Sequence, residues 1–289
     1  MKKYWLMALA ILAGFSAAAE PKKHSLEIAY EYSSYTYREP HMDYPIKLHG
    51  VKNGISAVYT MHSVLSMDST EDDPSFASLG FRYMDGNTKY EGWLEYWDGR
   101  IEPDSVGGLK DYYFEADLKL GRTCRLAETL ELAPYFGIGW RQLTNHLEEG
   151  GEGGYKRTQT YVYIPLGTNL RWDVTSQFAF TLNGQFDWMI YGNNNSGLVG
   201  EYDMYNRDSV SFRQDQGYGL RFSVKAEVNM GKVGLFIEPF WRYWHIQNSE
   251  KQYFYLQNPD GSIDYDTYLA YQEPFNTTKE YGVKIGLSF

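Results

Sequence analysis

Apolar and polar residues alternate with a period of two along most of the chain. The clearest stretch sets Tyr218, Leu220, Phe222, Val224, Ala226, Val228 and Met230 on one face, with Gly219, Arg221, Ser223, Lys225, Glu227 and Asn229 between them. Successive side chains of a strand point to opposite faces, so this pattern predicts a strand with one wholly apolar side. An apolar face this tall exceeds the usual strand of about 5–6 residues and suits a tilted strand of about 9–11 residues that crosses a bilayer.

The alternation recurs. Tyr112 to Leu120 places Phe114, Ala116 and Leu118 opposite Glu115, Asp117 and Lys119. Leu130 to Trp140 alternates Leu132, Phe136 and Ile138 with Glu131, Tyr135, Gly137 and Gly139, and Arg141 follows. Val162, Ile164, Leu166 and Leu170 alternate with Tyr163, Gly167, Asn169 and Arg171, and Phe178, Phe180, Leu182, Phe186 and Trp188 with Thr181, Asn183, Gln185 and Asp187. Leu235, Ile237 and Trp241 alternate with Gly234, Glu238 and Arg242. Near the start, Leu26, Ile28, Tyr30 and Tyr32 enclose Glu27 and Glu31.

These segments predict strands over 24–37, 49–63, 76–97, 110–122, 130–145, 158–172, 178–192, 215–230, 233–249 and 275–289. The Asp85-Gly86-Asn87 run also has the composition of a hairpin turn, an alternative that would split the third strand. The connections Gly231-Lys232, 123–129 and 173–177 are short. Residues 146–157 are intermediate, and 193–214 and 250–274 are long. Short turns at one end and long loops at the other fit an all-β, transmembrane, antiparallel up-and-down β-barrel. About ten strands are expected, with twelve or eight as alternatives, in one domain over residues 20–289.

Residues 1–19 have the layout of a signal peptide: Lys2 and Lys3, an apolar run from Trp5 to Phe15, then Ser16-Ala17-Ala18-Ala19. Cleavage near Ala19 removes two lysines and no acid, taking the formal charge from −10 to −12. The apolar run spans about 16 Å as a helix, half of a bilayer core. No later run is long enough for a membrane-crossing helix. A mean hydropathy of −0.52 alongside 17% aromatic residues argues against both a helical membrane protein and a disordered chain. A pI near 5.1 argues against a nucleic-acid partner, which needs a basic face. Cys124 stands alone, so no disulfide forms within the chain, and no His/Cys spacing suggests a zinc site or other cofactor.

The last strand carries a resemblance. Tyr281, Val283, Ile285, Leu287 and the terminal Phe289 alternate with Glu280, Gly282, Lys284, Gly286 and Ser288. This resembles the closing strand of Gram-negative outer-membrane β-barrel proteins, with a final aromatic and apolar residues at every second position before it. The resemblance implies an outer-membrane location, a lipid-covered outer surface, and recognition of this strand by the barrel-assembly machinery as an assembly signal.

If the apolar faces point outward, the others face the lumen. They carry Glu27, Glu31, Glu115, Asp117, Glu131, Asp187, Glu227, Glu238 and Glu280 against Arg82, Lys119, Arg141, Arg171, Arg221, Lys225, Arg242 and Lys284. Nine acids against eight bases is nearly neutral. A barrel of this size is just wide enough for its own side chains to fill, so a salt-bridged, occluded lumen is expected. An ion-selective pore would carry an excess of one sign. A small porin-like channel is the alternative.

Two enzyme classes of membrane barrel set a further test. Omptin-like surface proteases place Asp pairs and an Asp/His pair at the rim. The rim histidines here are His41, His49, His146 and His245, and His245 with Asp264 and Asp266 is the nearest approach to such a set. No strand carries Asp-x-His. A lipid hydrolase or deacylase needs a Ser/His arrangement, and His62-Ser63 is the one adjacent pair. No catalytic motif surrounds these residues, and solvated loop histidines are the preferred reading. The 250–274 loop is acidic and rich in Tyr, which supplies broad contact area at low entropic cost. The expected role is therefore structural or surface-binding, with a hydrated Tyr-rich loop as the plainer reading. Asp260 to Asp266 lacks the spacing of a calcium loop and reads as a turn.

Overall fold

The computed structural model describes residues 24–40, 44–62, 74–95, 99–151, 154–197, 209–258 and 260–289. The expected signal peptide, His41 and Ser63 lie outside these residues. Fourteen strands occur among them: β1 (His24–Glu39), β2 (Ile46–His62), β3 (Ser75–Glu95), β4 (Ile101–Arg122), β5 (Cys124–Ala127), β6 (Leu130–His146), β7 (Lys156–Asp173), β8 (Phe178–Ser196), β9 (Val210–Arg213), β10 (Gly217–Asn229), β11 (Gly234–Ile246), β12 (Gln252–Gln257), β13 (Ile263–Tyr271) and β14 (Asn276–Ser288).

Ten of them, β1–β4, β6–β8, β10, β11 and β14, pair antiparallel with their chain neighbours and close into a ring where β14 meets β1. β5 pairs beside β6, β9 pairs with the upper end of β8, and β12 and β13 form a separate hairpin. The end that holds His24 and Phe289 is called lower here. At the seam, Glu27 to Arg38 pair in unbroken register with Ser288 to Thr277, and Leu26 and Phe289 exchange backbone hydrogen bonds of 2.9 and 3.3 Å.

Parity decides which residues are covered. Along β1, Ala29, Glu31, Ser33, Tyr35 and Tyr37 are buried, whereas Ile28, Tyr30 and Tyr32 are exposed on the outside. The outward set runs around the ring as one row. Leu130, Trp172, Phe180, Ala226, Ile237, Ile285, Tyr30, Ile55, Tyr83 and Phe114 are successive cross-strand partners. The row leaves β6 at position 130 and returns to it at position 142, a shear of 12. With a rise of about 3.3 Å per residue and strands about 4.8 Å apart, this shear tilts ten strands by about 40° and gives a radius of about 10 Å. Long side chains from opposite walls meet across a tube of that width.

Close packing of the wall uses glycine beneath aromatic rings. A Cβ at Gly139 would lie 2.2 Å from the ring of Tyr163 on the next strand, and one at Gly282 would lie 2.4 Å from Phe240. The glycines of the closing strand's inner face therefore seat aromatic rings flat against the wall.

One alternative falls and two expectations change. Asp85, Gly86 and Asn87 form no turn: they lie inside β3, paired with Asn53, Lys52 and Val51 on one side and with Tyr112, Asp111 and Lys110 on the other. Two paired neighbours hold the segment extended, so the barrel has ten strands and not twelve. β4 starts at Ile101, well before position 110, because Ile101 to Val106 pair with the top of β3. The 193–214 and 250–274 segments are not wholly irregular, since Asn193 to Ser196 pair with β9 and the second segment folds into the β12–β13 hairpin.

Candidate functional site

The inner face is built in tiers. At mid-height Glu115 on β4 accepts hydrogen bonds from three guanidinium groups: Arg82 at 2.7 Å, Arg141 at 3.1 Å, and Arg221. Arg82 also donates to Glu31 at 3.0 Å, and Arg242 donates to Glu31 at 2.7 Å. Arg221 reaches Asp187 at 2.6 Å and the Tyr163 hydroxyl at 3.0 Å. Tyr113 donates to Glu280 at 2.9 Å, and Ser33 donates to the same carboxylate at 2.7 Å. Four acids face four arginines from eight of the ten ring strands, and Tyr163 adds a ninth. Glu31, Asp187 and Glu115 are no more than 1% exposed. A charge so far from water is tolerated only when paired and hydrogen-bonded. Here each carboxylate has partners on other strands.

A second tier lies above. Lys52 donates to the backbone oxygen of Asp111 at 2.9 Å and pairs with its carboxylate. Asn145 joins Asp111 at 2.8 Å to Arg157 at 3.1 Å, and Arg157 donates to Glu39 at 2.5 Å. Arg157 also stacks on the Tyr37 ring, and Lys52 sits 4.4 Å above the Tyr35 ring. Tyr35, Tyr37, Tyr113, Tyr161 and Tyr163 are all buried inside the tube. Much of the chain's tyrosine excess thus fills the lumen. Below the mid-height tier the tube opens into a cavity of about 400 Å3, lined with charges of both signs.

The residues singled out from the sequence fall into place unequally. Glu115, Arg141, Asp187, Arg221 and Arg242 meet in the central tier. The others form local pairs around the lower cavity: Lys119 with Asp117 at 3.5 Å, Lys225 with Glu27 at 2.6 Å, Lys284 with Glu238 at 2.9 Å, and Arg171 with Glu227 at 3.0 Å. Tyr281, Ile285, Leu287 and Phe289 are exposed on the outer wall, and Val283 is half-buried between them. Lys52, Asp111, Arg157 and Glu39 were missed. Their signal was the same parity, which places Lys52 and Asp111 on the inner face within the assigned strands and reaches Glu39 and Arg157 just past the assigned ends.

The histidines are not brought together. His49 lies 3.2 Å from Glu91, and His146 lies 2.6 Å from Glu148. His62 packs near the Phe76 ring. His245 turns outward against the Tyr218 ring, 3.1 Å from the Gln247 amide, and no carboxylate among the described residues is within ion-pair distance of it. Asp264 and Asp266 sit on the hairpin instead. No group of three or more His, Cys, Asp or Glu among the described residues could hold a metal ion.

The upper end is covered on one side by β9 and the hairpin. Val210, Phe212 and Phe254 are buried together, with Tyr271 packed against them. Beneath them Glu273 is 7% exposed and is clamped to Ser249, whose hydroxyl accepts from its N–H at 2.9 Å. Burial pushes the Glu273 carboxyl up to about 7, Arg157 pulls it down, and Glu39 adds a like-charge push. The other face of the hairpin displays Tyr253, Tyr255, Tyr265 and Tyr268, with rings 5.2–6.1 Å apart.

Replacing Glu115 with Gln strands three buried guanidinium groups around a neutral amide. The expected cost is about 3–5 kcal/mol in urea unfolding of the folded barrel. The raised Glu273 value means that the folded cap favours the protonated acid. That contribution is whole below the ordinary 4.5 and fades as pH rises through about 7. Proteolysis of the 247–275 segment is therefore expected to speed up across this interval, with Arg157, Glu39, Tyr37, Tyr155 and Tyr161 as the surrounding titratable and charged groups. Glu273→Gln should flatten the dependence.

No protein-family description matches the sequence, and no curated protein matches it. Solved structures do. The outer-membrane protease OmpT of Escherichia coli is 13% identical over 95% of this chain and 98% of its own, with a TM-score of 0.61. Ail, the attachment invasion locus protein of Yersinia pestis, is 10% identical over 93% and 100%, with a TM-score of 0.34. The toluene transporter TbuX of Ralstonia pickettii is 7% identical over 93% and 90%, with a TM-score of 0.39. The likeness to the protease is one of fold: this chain is a closed ten-stranded antiparallel β-barrel.

Proposed function

We propose that the chain is an integral protein of the Gram-negative outer membrane whose lumen is a structural core and not a conduit. In this reading lipid covers the outward row of apolar side chains. The barrel-assembly machinery reads Tyr281, Val283, Ile285, Leu287 and Phe289, whose side chains line the outer wall of the closing strand. The central tier carries the proposal. Its four acids and four arginines are paired from wall to wall, with the acids no more than 1% exposed, and in this reading they leave no continuous aqueous path at mid-height. The dispersed histidines support a binding role over a hydrolytic one.

The sealed body then serves as a rigid mount for the hairpin. Its exposed tyrosines lie beside Glu250, Asp260, Asp264 and Asp266, with Lys251 as the one base between residues 250 and 274. Rigid, amphipathic tyrosine rings are economical contact surfaces, and the acids select a positively charged protein surface by complementarity.

Two measurements test this. In planar bilayers the folded protein is expected to show no conductance steps, whereas joint replacement of Arg82, Arg221 and Arg242 by Ala should open a cation-selective path beside the acids that remain. Steps from the unaltered protein would defeat the occluded reading. Cells displaying the protein are expected to be retained on a surface coated with a basic protein and not on one coated with an acidic protein. Replacing Tyr253, Tyr255, Tyr265 and Tyr268 with Ser should remove the retention while leaving thermal unfolding unchanged.

A further inference from the structure

We propose that the upper mouth of the barrel holds a second binding site, a pocket for a small organic cation: a protonated amine on a ring-sized apolar body. The pocket encloses about 100 Å3 between the upper ends of β1–β4 and the loop that joins β6 to β7. This exceeds the roughly 30 Å3 share of one water and falls short of the roughly 150 Å3 cavity that holds benzene. Because the pocket opens outward, it suits one small ring with a substituent at the mouth.

Its walls are apolar and preformed. Leu48 and Leu109 are 1% and 2% exposed, and Leu147 packs against Leu48 and Tyr90 in the same cluster. Tyr90, Trp93 and Tyr155 supply aromatic lining. The Tyr90 hydroxyl donates to the Trp93 carbonyl at 3.2 Å and accepts from the Trp93 N–H at 3.3 Å. The Tyr44 ring meets Trp93 edge-on at 5.2 Å. These contacts fix the aromatic side chains before any ligand arrives, which lowers the ordering cost of binding.

The charges choose the ligand's sign. Three charged side chains line the pocket: Glu39, Asp104 and Arg157. Arg157 engages Glu39 at 2.5 Å through Nη1 and Asn145 at 3.1 Å through Nε, and it stacks on the face of Tyr37, which leaves only its buried Nη2 without a hydrogen bond. Asp104 is left over. Its one hydrogen bond is from the N–H of Ser105 at 2.8 Å, and no cation among the described residues lies within ion-pair distance of it. Glu149, on the neighbouring turn, accepts from the Lys110 N–H at 2.8 Å and adds a second acid at this end. A carboxylate beside aromatic faces attracts an ammonium group by charge and by the ring quadrupole together. A ligand carboxylate would meet two acids, Asp104 and Glu39, against one arginine whose charge is already paired with Glu39 and which has only Nη2 to offer.

The site is separate from the hairpin surface, so the two readings stand or fall independently. The test is calorimetric titration of the full folded chain in detergent micelles with benzylammonium, benzyl alcohol and benzoate. Benzylammonium is expected to bind at a single site, about tenfold tighter than benzyl alcohol, with no saturable binding of benzoate. Asp104→Asn should lower benzylammonium to the affinity of the alcohol and leave the alcohol unchanged. Leu109→Trp, which fills the pocket, should abolish both. Benzoate binding as tightly as benzylammonium, an Asp104→Asn protein with unaltered affinity for the amine, or no saturable binding of any probe would each overturn the proposal.

Discussion

A charge taken away from water must find its partner inside the protein, and in the central tier the partner is always on another strand. Glu115 needs Arg82, Arg141 and Arg221, which stand on three different strands, and Glu31 needs Arg82 and Arg242, which stand on opposite sides of β1 along the ring. No hairpin of two neighbouring strands satisfies this set. The stabilising geometry exists only when the ring is complete, so the same ion pairs that fill the tube make its closure cooperative. Partial assemblies are left with buried or solvated charges lacking their complements, a cost that steers the chain toward the finished barrel.

The rest of the architecture follows from a polar interior inside an apolar coat. A shear of 12 sets the tube at a width that lets arginine and tyrosine from different walls meet across it. Tyrosine suits such a lumen because its ring fills volume, supports guanidinium groups by stacking, and ends in a hydroxyl that joins the hydrogen-bond network. Arg141 over Tyr113 at 3.9 Å and Tyr113 bonded to Glu280 show all three uses in one residue. Where the wall itself must be thin, glycine takes the inward position and a neighbouring ring covers it.

The face of each strand was legible in the sequence because alternation is a local property: Tyr218 to Met230 alone tells inside from outside. The number of strands and the short lower turns were legible for the same reason. Which inward residues meet was not, because that depends on shear, a property of the closed ring that no single segment encodes. Arg221 and Glu115 are 106 positions apart in the chain and become partners only through the tilt of the strands between them. The upper extensions were hidden for a different cause. Above the apolar girdle both faces of a strand turn polar, so Ile101 to Leu109, with Pro103 and two glycines, has the composition of a loop although its first half pairs with β3. Glu39 and Arg157 lie just past the assigned strand ends and were overlooked with them, whereas Lys52 and Asp111 stood within assigned strands and lacked only a visible partner.

The seam between β14 and β1 is built like every other joint in the ring, with full register and reciprocal backbone bonds at its lower end. Nothing in the pairing distinguishes it from a junction made by continuous chain. The order in which the strands are written in the polypeptide is thus independent of the order in which they sit around the cylinder. A circular permutant whose ends were moved to an upper loop, with a short linker bridging Phe289 and His24, would keep every interstrand bond while transferring the free carboxyl-terminal strand to a new place on the circumference.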